Sequence, residues 1–184
     1  MSGIYTWARN HGHFDGANPI VGVKLPKARG ASETYAYDLR EELAIMNVLE
    51  PMAKAAIAVA SFAGLARAEM RGLRWEDRKD GNLYVRRNVW GATVKETKNE
   101  YREAPVPIIP QLAEILDEYW ETCGRPAEGW IWPSPVRDLS LDFIHIYRKH
   151  IRERLQKAKL PWYGWHAFRR GLATNPPTSG FPTL

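Results

Sequence analysis

Cysteine is nearly absent from this chain of 184 residues: Cys123 stands alone, which excludes an internal disulfide and any zinc site built from clustered cysteines. No run approaches the roughly eighteen apolar residues that a membrane-crossing helix needs. The opening Met-Ser-Gly-Ile-Tyr-Thr-Trp-Ala-Arg-Asn lacks the basic-then-apolar plan of a secretory leader. Internal repeats are missing as well. His11-Gly12-His13 offers two imidazoles without a third ligand nearby, so no metal is assigned, and no cofactor motif is found. These absences point to an ordinary globular protein of a reducing cytoplasm.

What is present is basic. Twenty-six Lys and Arg against 21 Asp and Glu leave a net charge of +5, with a pI near 9.4. That balance leans toward an anionic partner, nucleic acid being the commonest. The arginines come in groups: Arg67, Arg71 and Arg74, then Arg86-Arg87, then Arg169-Arg170. Read alone, these groups fit a set of solvated faces as well as a binding surface.

Residues 4–15 read as a short helix, and residues 16–37, rich in Gly, Pro and Lys before a polar run, as a linker. Asp38 followed by Glu41 is a helix start, and Pro51 opens a second, alanine-rich helix ending near Gly64. A third short helix runs from about Arg67 to Leu73. The chemistry then turns to β: Leu83–Trp90 and Ala104–Ile108 predict a small antiparallel sheet with edge-exposed prolines. Helical spacing returns over Pro110–Thr122, and again after Ser140, taken as an N-cap, where Phe143, Tyr147, Ile151 and Leu155 keep four-residue steps. A last helix carries Trp165-His166-Ala167-Phe168-Arg169-Arg170-Gly171. A His and an Arg three apart at a helix start share a face, and that pair suits a phosphate: guanidinium grips two oxygens and imidazole exchanges a proton. From Asn175 the chain is Pro-rich and non-periodic.

Gly64-Leu65-Ala66-Arg67-Ala68-Glu69-Met70-Arg71-Gly72-Leu73-Arg74-Trp75-Glu76-Asp77 resembles the first box of the tyrosine site-specific recombinases, the phage-integrase family, G-L-R-x-x-E-x-x-x-L-x-W-x-D. The β-rich segments with Lys98 between them resemble that family's hairpin ending in V-P, and His166 to Arg169 its H-x-x-R box. The resemblance covers roughly residues 38–174. It implies an α+β fold, a mostly helical catalytic domain with a small antiparallel sheet after its first three helices. It also implies residues 1–15 as the last helix of a DNA-clamping domain, 16–37 as linker, 38–174 as an incomplete catalytic domain and 175–184 as an irregular tail. The implied chemistry is metal-free strand cleavage and rejoining on double-stranded DNA through a phosphotyrosine, with full-length recombinase protomers as partners and neither membrane nor small-molecule substrate. The implied location is cytoplasmic, at the nucleoid.

Carried over by position, Glu69 orients neighbouring groups, Lys98 is the general acid with Lys95 as second candidate, His166 handles the nucleophile's proton and Arg169 braces the phosphate. Arg67, Arg71, Arg86, Arg87 and Arg170 are the expected DNA contacts. Two departures stand out. Position 66, where the family has an arginine, is Ala66, and Arg67 lies a step of about 100° away on a helix. No tyrosine follows Tyr163, which reads as a packing or hydrogen-bonding residue. The expectation is an internal fragment or decayed copy that does not cleave alone, or else a non-catalytic DNA-binding module or inactive relic.

Overall fold

First-turn chemistry sets most helix starts in this chain. The Asp38 carboxylate accepts from the Glu41 amide at 2.8 Å while Glu41 accepts from the Asp38 amide at 2.9 Å, a reciprocal box that opens α2 (Leu39–Asn47). Pro51 and Pro110 begin α3 (Pro51–Phe62) and α5 (Pro110–Thr122), where a missing N–H is no loss. The computed structural model describes residues 2–23, 34–96 and 105–174, and the chain divides into two units, 1–34 and 35–184. The first holds α1 (Ser2–Asn10), with Tyr5 edge-on to Phe14 and Trp7 stacked on His11 and His13.

The second unit is built around α3. Ala53 and every residue from Ala55 to Ser61 are buried, so this helix is apolar nearly all round and sits at the centre of the core. Its alanines let α2, α4 (Arg67–Arg71), α5 and α8 (Trp165–Thr174) lie close against it. Ile45, Met46, Met70, Leu112, Ile115 and Phe168 fill the contacts. This is the expected α+β arrangement, with the strands entering after α4.

The strands form two small sheets rather than one. Arg78–Lys79 (β1) and Asn82–Leu83 (β2) are joined by Asp80-Gly81, both at positive φ, the backbone that a two-residue hairpin turn demands. Val106–Pro107 (β5) completes this sheet in the order β1-β2-β5, so the proline occupies an edge strand where no ladder donor is missed. The expected continuous strand over Leu83–Trp90 breaks instead, and Arg87–Trp90 (β3) pairs with Thr93–Glu96 (β4) as a separate hairpin.

The helix expected after Ser140 also differs. Asp142 is the N-cap, its Oδ1 accepting from the Ile144 amide at 2.8 Å. Ser140 is drawn into an isolated bridge with Pro133 and its hydroxyl lies buried. The helix is broken into α6 (Phe143–Ile146), a π turn over Tyr147–Ile151 and α7 (Arg152–Ala158). One wide turn in an otherwise regular helix is a π-bulge. Phe143, Ile151 and Leu155 are buried as their spacing implies. Among the described residues no helix is long and apolar enough to cross a membrane.

Candidate functional site

The two motifs meet between α4 and α8. Ala66 is the last extended residue before α4, at φ −72° and ψ 153°, and Arg67 is the first helical one. Glu69 reaches back so that its Oε2 accepts the Ala66 amide at 2.7 Å, satisfying a donor left open at a helix start. The same oxygen lies 3.7 Å from Arg169 Nη1 on α8. With the Arg169 side chain 52% exposed, this ion pair adds little stability. What it does is register the first motif against the second.

α8 is presented by a turn at Gly164, φ +87°, whose carbonyl accepts from the Ala167 amide at 3.1 Å. His166 therefore sits in the first turn of the helix, with Arg169 three residues on. Both are exposed, while Ala167 and Phe168 between them are buried. Tyr37 fixes the helix at three points. Its amide donates to Ala167 O at 3.3 Å and its ring stacks on Phe168 at 4.4 Å. Its hydroxyl donates to Pro161 O at 3.1 Å while accepting the Tyr163 amide at 2.7 Å. Burial pushes that hydroxyl up to about 12. Tyr163 is thus a packing and hydrogen-bonding residue.

Gly171 closes the contact. A Cβ there would stand 2.4 Å from Tyr37 O and 2.7 Å from Glu42 Oε1, so only glycine lets α8 lie this close. Glu42 is buried on α2, and its Oε1 has no hydrogen-bond partner among the described residues. Burial pushes its carboxyl up to about 8 against the opposing effect of Ser61, so it is protonated at neutral pH.

The arginines divide sharply. Arg71 is 5% exposed, and its guanidinium donates to Gly91 O at 2.9 Å and Leu141 O at 3.2 Å. Val89 O and Ser140 O accept from it at 3.4 and 3.5 Å. Burial lowers its pKa from the ordinary value, with Asp142 at 3.9 Å opposing. Arg71, expected among the DNA contacts, thus ties the β3–β4 turn to the loop before α6. Arg87 is similarly committed: it pairs at 2.7 Å with Asp77, whose carboxylate is fully buried and also accepts the Arg74 amide at 2.9 Å. At Gly72 a Cβ would stand 2.0 Å from Arg87 O, so glycine permits this crossing of α4 and β3.

Arg86 is exposed, lying 3.8 Å from Asp77 and over the Tyr84 ring. Arg67 lies 5.8 Å from the centroid of exposed Trp90, toward the β3–β4 hairpin, on a helix face about 200° from Glu69. Arg170 is exposed and donates to Tyr35 O at 3.3 Å. Lys95 is exposed on β4, opposite Asn88, and Lys98 lies outside the described residues. The structure thus brings Glu69 and Arg169 together, with His166 on the same helix. Among the described residues no group of three or more His, Cys, Asp or Glu is arranged to hold a metal ion.

Sequence reading missed two residues that shape this site. Tyr37 lies in the polar run taken as linker, with no periodic signal to mark it. Asp77 ends the first motif but was assigned no role; its spacing of three from Arg74, at the start of a short 3₁₀ turn, was the available clue.

An α+β frame with an exposed His-and-Arg helix keyed to a second motif by a carboxylate defines the class. The chain has the fold of tyrosine recombinase catalytic domains, those of phage integrases among them. It is 23% identical over 162 residues to a tyrosine recombinase of Pseudothermotoga lettingae, covering 84% of this chain and 54% of that protein. Lambda integrase bound to DNA superposes with a TM-score of 0.56 at 20% identity, covering 92% of this chain and 59% of that one. The integrase of mycobacterium phage Brujita gives 0.54 at 20% identity, covering 94% and 54%. The chain therefore spans about half the length of the proteins it matches. No protein-family profile matches it.

Proposed function

We propose that this chain is a recombination-type domain that binds duplex DNA through the exposed face of α8. The observation that carries the reading is the Glu69–Arg169 contact at 3.7 Å, which holds a half-exposed guanidinium beside an exposed imidazole on one helix. A planar guanidinium suits two non-bridging phosphate oxygens, and a first-turn position lets the helix dipole add to the attraction. Arg170, Arg86 and Lys95 are further exposed cations available to a phosphate backbone, and Arg67 is half-buried toward Trp90. Arg71 and Arg87 have no part in it, since their donors are held by the frame. Fluorescence anisotropy on duplex DNA across a salt series tests this reading. A dissociation constant that weakens along a log–log line with a slope of about 3 or more supports it. A folded chain that does not bind at low salt overturns it.

Ala66 favours binding without efficient cleavage. An alanine stands where the family's first phosphate-bracing arginine belongs, and Arg67 is directed at Trp90 instead. Losing one such transition-state donor costs on the order of 3 kcal/mol, a factor of 10² to 10³ in rate. Incubation of this chain with a nicked duplex should yield no covalent protein–DNA adduct. An adduct formed by this chain alone contradicts the non-cleaving reading and leaves the DNA-binding one intact.

A further inference from the structure

An aromatic surface adjoins the His166 end of α8 and has no part in the phosphate chemistry. Tyr35 and Tyr163 stack face to face, centroids 3.7 Å apart and planes 19° from parallel. Large apolar rings of this kind are ordinarily covered, yet Tyr35 is 37% and Tyr163 48% exposed. The pair is held rigid from below. Tyr37, fully buried, meets Tyr35 edge-on at 5.5 Å, and its hydroxyl accepts the Tyr163 amide at 2.7 Å. The Tyr35 hydroxyl is fixed by donation to Glu41 at 2.5 Å. Such a stack is organised before any ligand arrives, so little conformational freedom is lost on binding.

The surroundings carry both signs: Glu41 and Asp38 lie at the hydroxyl end of Tyr35, and Arg170 at its backbone. Arg170 donates to the Tyr35 carbonyl at 3.3 Å, and Tyr163 precedes His166 by three residues. A preformed aromatic face beside an arginine matches a nucleotide: the ring stacks on a base and the guanidinium meets its phosphate. In a duplex both faces of a base are covered by its neighbours, so only an unpaired base can lie on the tyrosines. Strand exchange produces such bases, because the exchanging strand must leave its complement.

We infer that the Tyr35–Tyr163 pair is a stacking site for an unpaired nucleobase of a strand whose phosphates meet Arg169 and Arg170. The inference rests on the DNA-binding reading above and adds a single-strand specificity to it.

The test uses the full chain and a short single-stranded oligonucleotide carrying one 2-aminopurine, whose fluorescence is quenched on stacking. The unaltered chain and Tyr163→Phe, which keeps the ring, should both quench it. The double variant Tyr35→Ala/Tyr163→Ala should abolish quenching and weaken single-strand binding about tenfold or more, with duplex affinity changed less than about twofold. Should that variant fail to fold by near-ultraviolet circular dichroism, Tyr35→Leu, which keeps bulk without a π face, should show a weaker form of the same loss. A folded variant that quenches and binds as the unaltered chain does overturns the inference. Duplex binding with no single-strand quenching by the unaltered chain also overturns it and leaves the duplex reading standing; binding to neither form overturns both.

Discussion

Arg71 and Arg169 belong to the two motifs that meet between α4 and α8, and their environments are opposite. Arg71 is 5% exposed and spends its donors on backbone carbonyls of two loops. Arg169 has a 52% exposed side chain and one acid at 3.7 Å. A guanidinium can be structural cement or a ligand grip, and the deciding variable is how many of its donors the fold has already engaged. The same contrast separates Arg87, bound to buried Asp77, from Arg170, which gives one bond to a carbonyl at the surface. Charge clustering in the sequence therefore does not tell an engaged guanidinium from an exposed one.

Substitutions sharpen the contrast. Arg71→Ala should show the largest effect, a loss of about 3 kcal/mol in denaturant unfolding, because several buried carbonyls lose their donor at once. A loss below about 1 kcal/mol would mean that the carbonyls find other partners. Gly171→Ala should cost about 2–3 kcal/mol, since its Cβ would stand 2.4 Å from Tyr37 O and force α8 outward. Equal stability of that variant and the parent would show that α8 is not pinned there.

Glu42 gives a pH-dependent prediction. Its carboxyl, pushed up to about 8 by burial, holds a proton more tightly in the folded chain than in the unfolded one, where the usual value is about 4.3. The folded state therefore binds more protons between those values, and stability must fall as pH rises through that window and level off above it. Glu42→Gln should remove this slope, so the variant gains stability relative to the parent steadily between pH 4 and pH 9. Parallel pH profiles of the two proteins would contradict a neutral Glu42. Arg169→Ala should have the smallest effect on folding, within about 0.5 kcal/mol, as an exposed ion pair implies. A loss as large as that of Arg71→Ala would erase the contrast.

Local chemistry was legible in the sequence where it was strong. The Asp38–Glu41 box, the prolines opening α3 and α5, and the β-rich composition around β3 depend on neighbours in the chain. Tertiary choices were not legible. Nothing in Arg67-Ala68-Glu69-Met70-Arg71 says which arginine turns inward, because that follows from two loops arriving over Arg71 from residues 89–91 and 140–141. Four-residue steps from Phe143 to Leu155 concealed the π turn, which keeps the same apolar face while adding a residue. Tyr37 was hidden because its partners, Pro161, Tyr163 and Phe168, lie more than a hundred residues away. The family resemblance implied only that Glu69 orients neighbouring groups; that Arg169 is one of them, at 3.7 Å, follows from the fold.

The account stands most directly on Arg169 as a phosphate ligand. Duplex DNA binding by the unaltered chain and by Arg169→Gln, each titrated across salt, measures this. The prediction is weaker binding by the variant at every salt concentration, with a log–log slope shallower by about 1, as expected when one phosphate contact is lost. Identical affinities and slopes from two folded proteins would place the DNA elsewhere or nowhere on this chain and would contradict the account.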